Sequence, residues 1–125
     1  MIKNIILVGL GGALGSVVRY LISVLVYSGK TQLFPWSTLL TNFMGCLLLG
    51  LLLGYFQKND NQYQELKLLL AIGVCGGITT FSTFSAETLN LMQSGNLLAA
   101  GLYAISSFVG GVLLLYLGVM LIRLC

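Results

Sequence analysis

The chain has 125 residues, enough for one ordinary domain; 58% of it is hydrophobic, only 7% is charged, and its mean hydropathy is +0.99. A soluble domain carries roughly 25% charged residues because its surface faces water, so this composition excludes a soluble globule and a disordered tail and indicates an integral membrane protein. Six basic and three acidic residues, net +3, are scattered without a basic stripe, which excludes a nucleic-acid-binding module.

A helix needs about 20 apolar residues to cross the hydrocarbon core of a bilayer. Four stretches meet that length, 5–27, 36–56, 66–92 and 97–124, within a single membrane domain over 1–125. The expected fold class is all-α, with four transmembrane helices per subunit.

The first span follows Lys3, as a signal peptide would, but its apolar run is too long for an h-region and no A-x-A site follows, so it is expected to be retained. Gly9-Leu10-Gly11 lacks the third glycine of a dinucleotide fingerprint, since Leu14 stands in its place. Arg19 lies well inside the span, where desolvation makes an ionisable residue a functional candidate. It either concentrates anions at a pore mouth or snorkels to the interface. The polar break Ser28-Gly29-Lys30-Thr31-Gln32 contains the end of a P-loop pattern, but Val24 occupies the position of its first glycine.

Pro35 before Trp36 suits the start of the second span, where its missing N–H costs nothing. Asn42 lies deep in that span, with Thr38 one turn earlier on the same face. The following loop, residues 57–65, carries most of the loop charge, and Tyr27, Trp36, Tyr55 and Tyr63 fall near the expected interfaces, where amphipathic rings settle.

The third span holds the most informative stretch, residues 73–85. Gly73, Gly76 and Gly77 are followed by five hydroxyl residues in seven positions, Thr79, Thr80, Ser82, Thr83 and Ser85. Gly76-Gly77 weakens a helix by about 1 kcal/mol per glycine relative to alanine, and a helix interrupted inside a membrane needs protein or a watery cavity to satisfy the freed backbone. A helix broken near 76–80 would present carbonyls suited to a cation at one half-helix end, and N–H groups and hydroxyls suited to an anion at the other. The alternative is a continuous helix whose hydroxyls bond to preceding carbonyls, which does not account for the double glycine. Phe81 and Phe84 share a helix face; their positive ring edges suit an anion, although core packing also explains them. Glu87 follows within two turns, placed either to bond the hydroxyls or to stabilise the half-helix N-terminus.

Gln93-Ser94-Gly95-Asn96 is so short that the third and fourth spans should form an antiparallel hairpin. Tyr103 and Ser107 in the fourth span are again four apart. Each of Asn42, Thr38, Tyr103 and Ser107 fits an interhelical hydrogen bond, and together they could line an anion path. Gly11/Gly15, Gly50/Gly54 and Gly73/Gly77 have the small-residue spacing that lets membrane helices approach. Four helices can hardly shield a polar path from lipid, so a homo-oligomer is expected.

Enzyme chemistry is nearly excluded by what is missing. The chain has no histidine, its one aspartate is Asp60 in a loop, and its glutamates are Glu65 and Glu87. Cys46, Cys75 and Cys125 are odd in number and set in apolar sequence, which favours small buried hydrophobes over disulfides. An even number of spans puts both termini on one side with Lys3, Lys58, Lys67 and Arg123, opposite Lys30 and Arg19. That excess favours cytoplasmic termini but is small.

Three stretches resemble one family, the small bacterial fluoride channels called Fluc or CrcB. They are residues 11–20 (Gly-Gly-Ala-Leu-Gly-Ser-Val-Val-Arg-Tyr), 38–45 (Thr-Leu-Leu-Thr-Asn-Phe-Met-Gly) and 76–85 with Glu87, and the likeness covers all four spans in order. The resemblance implies passive export of fluoride through the bacterial inner membrane by an antiparallel, dual-topology homodimer with two pores. It implies pore roles for Phe81, Phe84, Asn42, Ser82, Thr83, Thr38, Tyr103, Ser107 and Glu87, with Arg19 in the vestibule. It also implies a structural sodium ion at the dimer centre, held by backbone carbonyls of Gly76 and Thr79. Gly111 stands where the family's polar track often has a third hydroxyl. The expected partners are thus fluoride, sodium, a second copy and the bilayer, with no nucleic acid. A small multidrug-type cation/proton antiporter needs an acid in its first helix, where this chain has Arg19, and a non-transporting scaffold leaves the 76–85 cluster unexplained.

Overall fold

The computed structural model describes residues 1–27, 33–59 and 63–125, so the first polar break, 28–32 with Lys30, and the tip of the second loop with Asp60 lie outside the described residues. Four helical stretches are long and apolar enough to cross a membrane: Ile2–Val26, Trp36–Lys58, Gln64–Gln93 and Leu97–Leu124. The first, second and fourth are single helices, α1 (Ile2–Val26), α2 (Trp36–Lys58) and α6 (Leu97–Leu124). The third is composite. A short α3 (Gln64–Leu66) runs into a π-helical segment (Lys67–Cys75) and then α4 (Gly76–Ile78); α5 (Phe81–Gln93) follows. Thr79 (φ −79°, ψ 150°) and Thr80 (φ −148°, ψ 118°) stand between α4 and α5 with extended backbone. Nothing in the sequence accounts for the π-helical winding of Lys67–Cys75.

The helices pack as two parallel pairs, each closed by glycines. On α1, a Cβ at Gly11 would overlap Leu69 O and stand 2.9 Å from Gly73 Cα; at Gly15 it would overlap Val74 O and stand 2.9 Å from Gly77 Cα. Gly73 and Gly77 reciprocate, so α1 and the first half of the third span touch backbone to backbone. Gly77 is therefore helical and spent on this approach, and the backbone departs from the helix two residues later, at Thr79. In the second pair, Gly50 of α2 abuts Leu115, Gly54 abuts Val119 and Ile122, and Gly118 of α6 abuts Leu47 and Leu51.

The short connection after α5 is a Schellman turn. Gly95 has φ +82°, Asn96 N–H donates to Leu91 O at 2.9 Å, and Gly95 N–H donates to Met92 O at 3.1 Å. It turns α6 back beside α5, yet the extended close packing of α6 is against α2. At the polar end of the bundle Lys3 pairs with Glu65 at 2.5 Å and Arg123 donates to Gln57 at 3.0 Å. These contacts place Lys3 beside Glu65 and Arg123 beside Gln57. The ion pair is solvent-exposed and adds little stability.

Candidate functional site

The polar residues of the bundle meet where α2 crosses the extended pair Thr79–Thr80. Asn42 Nδ2 donates to Thr80 O at 3.3 Å, and Thr80 N–H donates to Asn42 Oδ1 at 2.8 Å. One side-chain amide thus satisfies both backbone groups of a buried residue that has left the helix, as an apolar surrounding demands. Thr80 then caps α5: its Oγ1 accepts from Thr83 N–H at 3.2 Å and donates to Thr83 Oγ1 at 3.0 Å. Thr79 Oγ1 donates back to Cys75 O at 2.9 Å.

These bonds have a consequence for two carbonyls. In a continuous helix the Gly76 carbonyl would accept from Thr80 N–H, and the Thr79 carbonyl from Thr83 N–H. Both donors are committed elsewhere, to Asn42 Oδ1 and Thr80 Oγ1. Gly76 is also exposed, and a Cβ there would meet nothing within 4 Å. Neutral carbonyls freed in this way are suitable ligands for a hard monovalent cation. Among the described residues no group of three His, Cys, Asp or Glu side chains offers a charged metal site instead.

One turn above Asn42, the Glu87 carboxylate accepts from Thr38 Oγ1 at 2.8 Å and from Tyr103 OH at 2.7 Å. Three spans are tied together at this point, and Thr38 and Tyr103 are both buried. Tyr103 carries an aromatic row, with Phe84 at 5.0 Å and Phe34 at 5.5 Å between ring centroids; Phe81 lies 5.8 Å from Phe84.

Two hollows flank this cluster. A cavity of about 270 Å³ is lined by Asn42, Cys46, Phe81, Phe84 and Ser107 among others, and Ser107 Oγ is buried there without a hydrogen-bond partner among the described residues. On the other side, a polar groove of about 300 Å³ runs between Arg19 of α1 and Glu87, with Thr38, Thr41, Thr80 and Thr83 on its walls. The Arg19 guanidinium makes no hydrogen bond or ion pair among the described residues, so its charge is free to act on whatever enters the groove.

A sequence comparison matches residues 6–119 to the family described as "CrcB-like protein, Camphor Resistance (CrcB)". The chain belongs to the CrcB family. Curated relatives include the "Fluoride-specific ion channel FluC" of Flavobacterium psychrophilum, 46% identical over 86% of this chain and 88% of that protein. The protein of the same name from Magnetococcus marinus is 47% identical, covering 94% of this chain and 95% of its own. That of Azobacteroides pseudotrichonymphae genomovar. CFP2 is 39% identical over 97% of both.

Of the residues singled out in this CrcB chain, Asn42, Phe81, Phe84 and Ser107 share one cavity, Thr38, Tyr103 and Glu87 form one hydrogen-bonded cluster, and Thr83 joins Arg19 on the groove. Ser82 is exposed, with its hydroxyl 3.4 Å from Thr80 Oγ1, and Phe81 points away from the protomer, 79% exposed. Thr80, hub of the network, stands in the sequence reading only as one of five hydroxyls, with no role of its own; its signal was a threonine three positions before Thr83, in the N-cap place of α5. The cysteines are all free, but only Cys75 is the buried hydrophobe expected: Cys46 lines the cavity, and Cys125 is exposed at the chain end.

Proposed function

We infer that this protein is a fluoride-specific ion channel, a multi-pass bacterial membrane protein that conducts rather than catalyses. The observation that carries this is the set of curated relatives, each named a fluoride-specific ion channel and 39–47% identical over most of both chains. The site chemistry agrees with it. Fluoride gives up its water where hydrogen-bond donors replace it, and an amide, several hydroxyls and aromatic edges converge here. Export needs no fuel, because a membrane potential negative inside drives an anion outward with about 2.3 kcal/mol per charge per 100 mV. Neither antiport nor a scaffold role is favoured by any of these relatives. Expression in a bacterium lacking its own fluoride exporter should restore growth in millimolar fluoride; failure with protein present in the membrane contradicts the reading.

We propose further that two copies insert in opposite senses and pair across the Gly76–Ser85 face, in the inner membrane. Three features support pairing there: Phe81 is exposed, Ser82, Thr83 and Ser85 are exposed in mid-span, and the Gly76 and Thr79 carbonyls lack their helical donors. Lipid offers no hydrogen-bond partner to the freed carbonyls and hydroxyls, whereas a second copy would cover them, bring its own Phe81 towards the cavity and complete two paths. The third span is then a broken helix in function. Its carbonyls at Gly76 and Thr79, doubled by the partner, hold a sodium ion that supplies positive charge at the centre. The path runs by Arg19, Glu87, Thr38, Tyr103, Thr83, Ser82, Asn42, Phe81, Phe84 and Ser107. Dual insertion predicts that a membrane-impermeant maleimide labels about half of Cys125 from each side of the membrane; labelling from one side alone contradicts it.

A further inference from the structure

The cavity beside Phe81 is lined from α2 by Asn42 and Cys46, four residues apart, and from α6 by Ser107. Because α2 and α6 run parallel in close contact, their four-residue rows meet rung by rung. Thr38 and Tyr103 make the first rung, both donating to Glu87. Asn42 and Ser107 make the second, around a hollow into which the buried Ser107 hydroxyl projects without a hydrogen-bond partner among the described residues. Cys46 and Gly111 make the third: a Cβ built on Gly111 would stand 3.4 Å from Cys46 Sγ. On this rung α6 offers no side chain at all, and α2 offers a free thiol.

We propose that the Cys46 thiol is a fluoride-path residue, supplying from α2 the hydrogen-bond donor that the third rung lacks on α6. This rests on the fluoride conduction inferred above. An anion leaving Asn42 and Ser107 has lost most of its water and needs a donor within one helical turn. The S–H of Cys46 is the polar group of that rung, a weak donor but one that costs little to desolvate. Being on the path, Cys46 is also the thiol that a small neutral reagent reaches from water, unlike Cys75, which is 2% exposed.

The test is fluoride efflux from liposomes for the wild type, Cys46→Ala, Cys46→Ser and the pair Cys46→Ala with Gly111→Ser. Loss of the donor in Cys46→Ala should slow efflux about tenfold, the cost of one hydrogen bond to an ion. Cys46→Ser should conduct like the wild type. The double variant should recover most of the rate, because a hydroxyl from α6 now occupies the space next to the missing thiol. Wild-type rates in Cys46→Ala, or no recovery in the double variant, would overturn the proposal, and so would equal recovery in Cys46→Ala with Gly111→Ala, which refills the space beside Cys46 without a donor. A second readout does not depend on the double variant folding. Methyl methanethiosulfonate reacts with the thiolate, whose proton goes to solvent, to form a methyl disulfide and release methanesulfinate. It should slow efflux by the wild type and by Cys125→Ser and leave Cys46→Ser untouched; a block that persists in Cys46→Ser overturns the assignment. A silent wild type, by contrast, would sink the channel reading itself, before any variant is compared.

Discussion

Asn42→Leu is the perturbation that bears most directly on the geometry, because it removes an amide that serves two backbone groups at once. Thr80 N–H and Thr80 O both bond to Asn42, at 2.8 and 3.3 Å, and Thr80 is 8% exposed. A buried backbone group stranded without a partner costs about 1–3 kcal/mol. The 3.3 Å bond is the weaker, so roughly 2–4 kcal/mol is expected for the pair. That free energy falls on the Thr79–Thr80 junction rather than on the whole bundle, since the glycine contacts of α1 and α2 are untouched. Hydrogen exchange read at Thr80 should therefore accelerate roughly thirty- to thousandfold in Asn42→Leu, while amides in the middle of α1 and α6 keep their protection. Unchanged exchange at Thr80 in Asn42→Leu would refute the clamp, and equal acceleration everywhere would show that Asn42 holds the bundle rather than the junction.

Other expectations follow from the same contacts. Gly15→Ala should destabilise the protein in detergent by about 1–3 kcal/mol, because its Cβ overlaps the third-span backbone; Gly9→Ala, with nothing within 4 Å, should leave the unfolding midpoint unchanged. Gly95→Ala forces a side chain into φ +82° and should cost about 1–2 kcal/mol in the same measurement. Tyr103→Phe strips one donor from Glu87 and should slow fluoride efflux about tenfold with helix content intact. If two copies pair as proposed, replacing sodium by a large organic cation should weaken that dimer, read by cross-linking; an identical dimer fraction in both salts would argue against a cation at the Gly76 and Thr79 carbonyls.

Much of this architecture is legible in the sequence because lipid imposes simple rules. Spans need length and low charge, and the four stretches are recognisable to within a few residues on that ground alone. Residues spaced by four on one helix, such as Thr38 and Asn42 or Tyr103 and Ser107, are readable as shared faces. What those faces meet is not. Asn42 and Thr80 are 38 positions apart and joined by a side chain to backbone, a bond that leaves no periodic trace. Gly76-Gly77 draws attention as a helix breaker, yet Gly77 is helical and serves the approach of α1, and the extended residues are two threonines that β-branching suits to that conformation. The loop length joins α5 to α6 correctly, but the preference of α6 for α2 depends on which glycine row matches which, and only packing decides that.

The most direct measurement is fluoride efflux from liposomes holding the purified protein, clamped by a potassium gradient and valinomycin, with chloride-loaded vesicles alongside. Rapid fluoride efflux that follows the imposed potential, with chloride retained, is the predicted result. Equal flux of both anions, or retained fluoride in vesicles shown to contain folded dimers, would contradict a fluoride-specific channel.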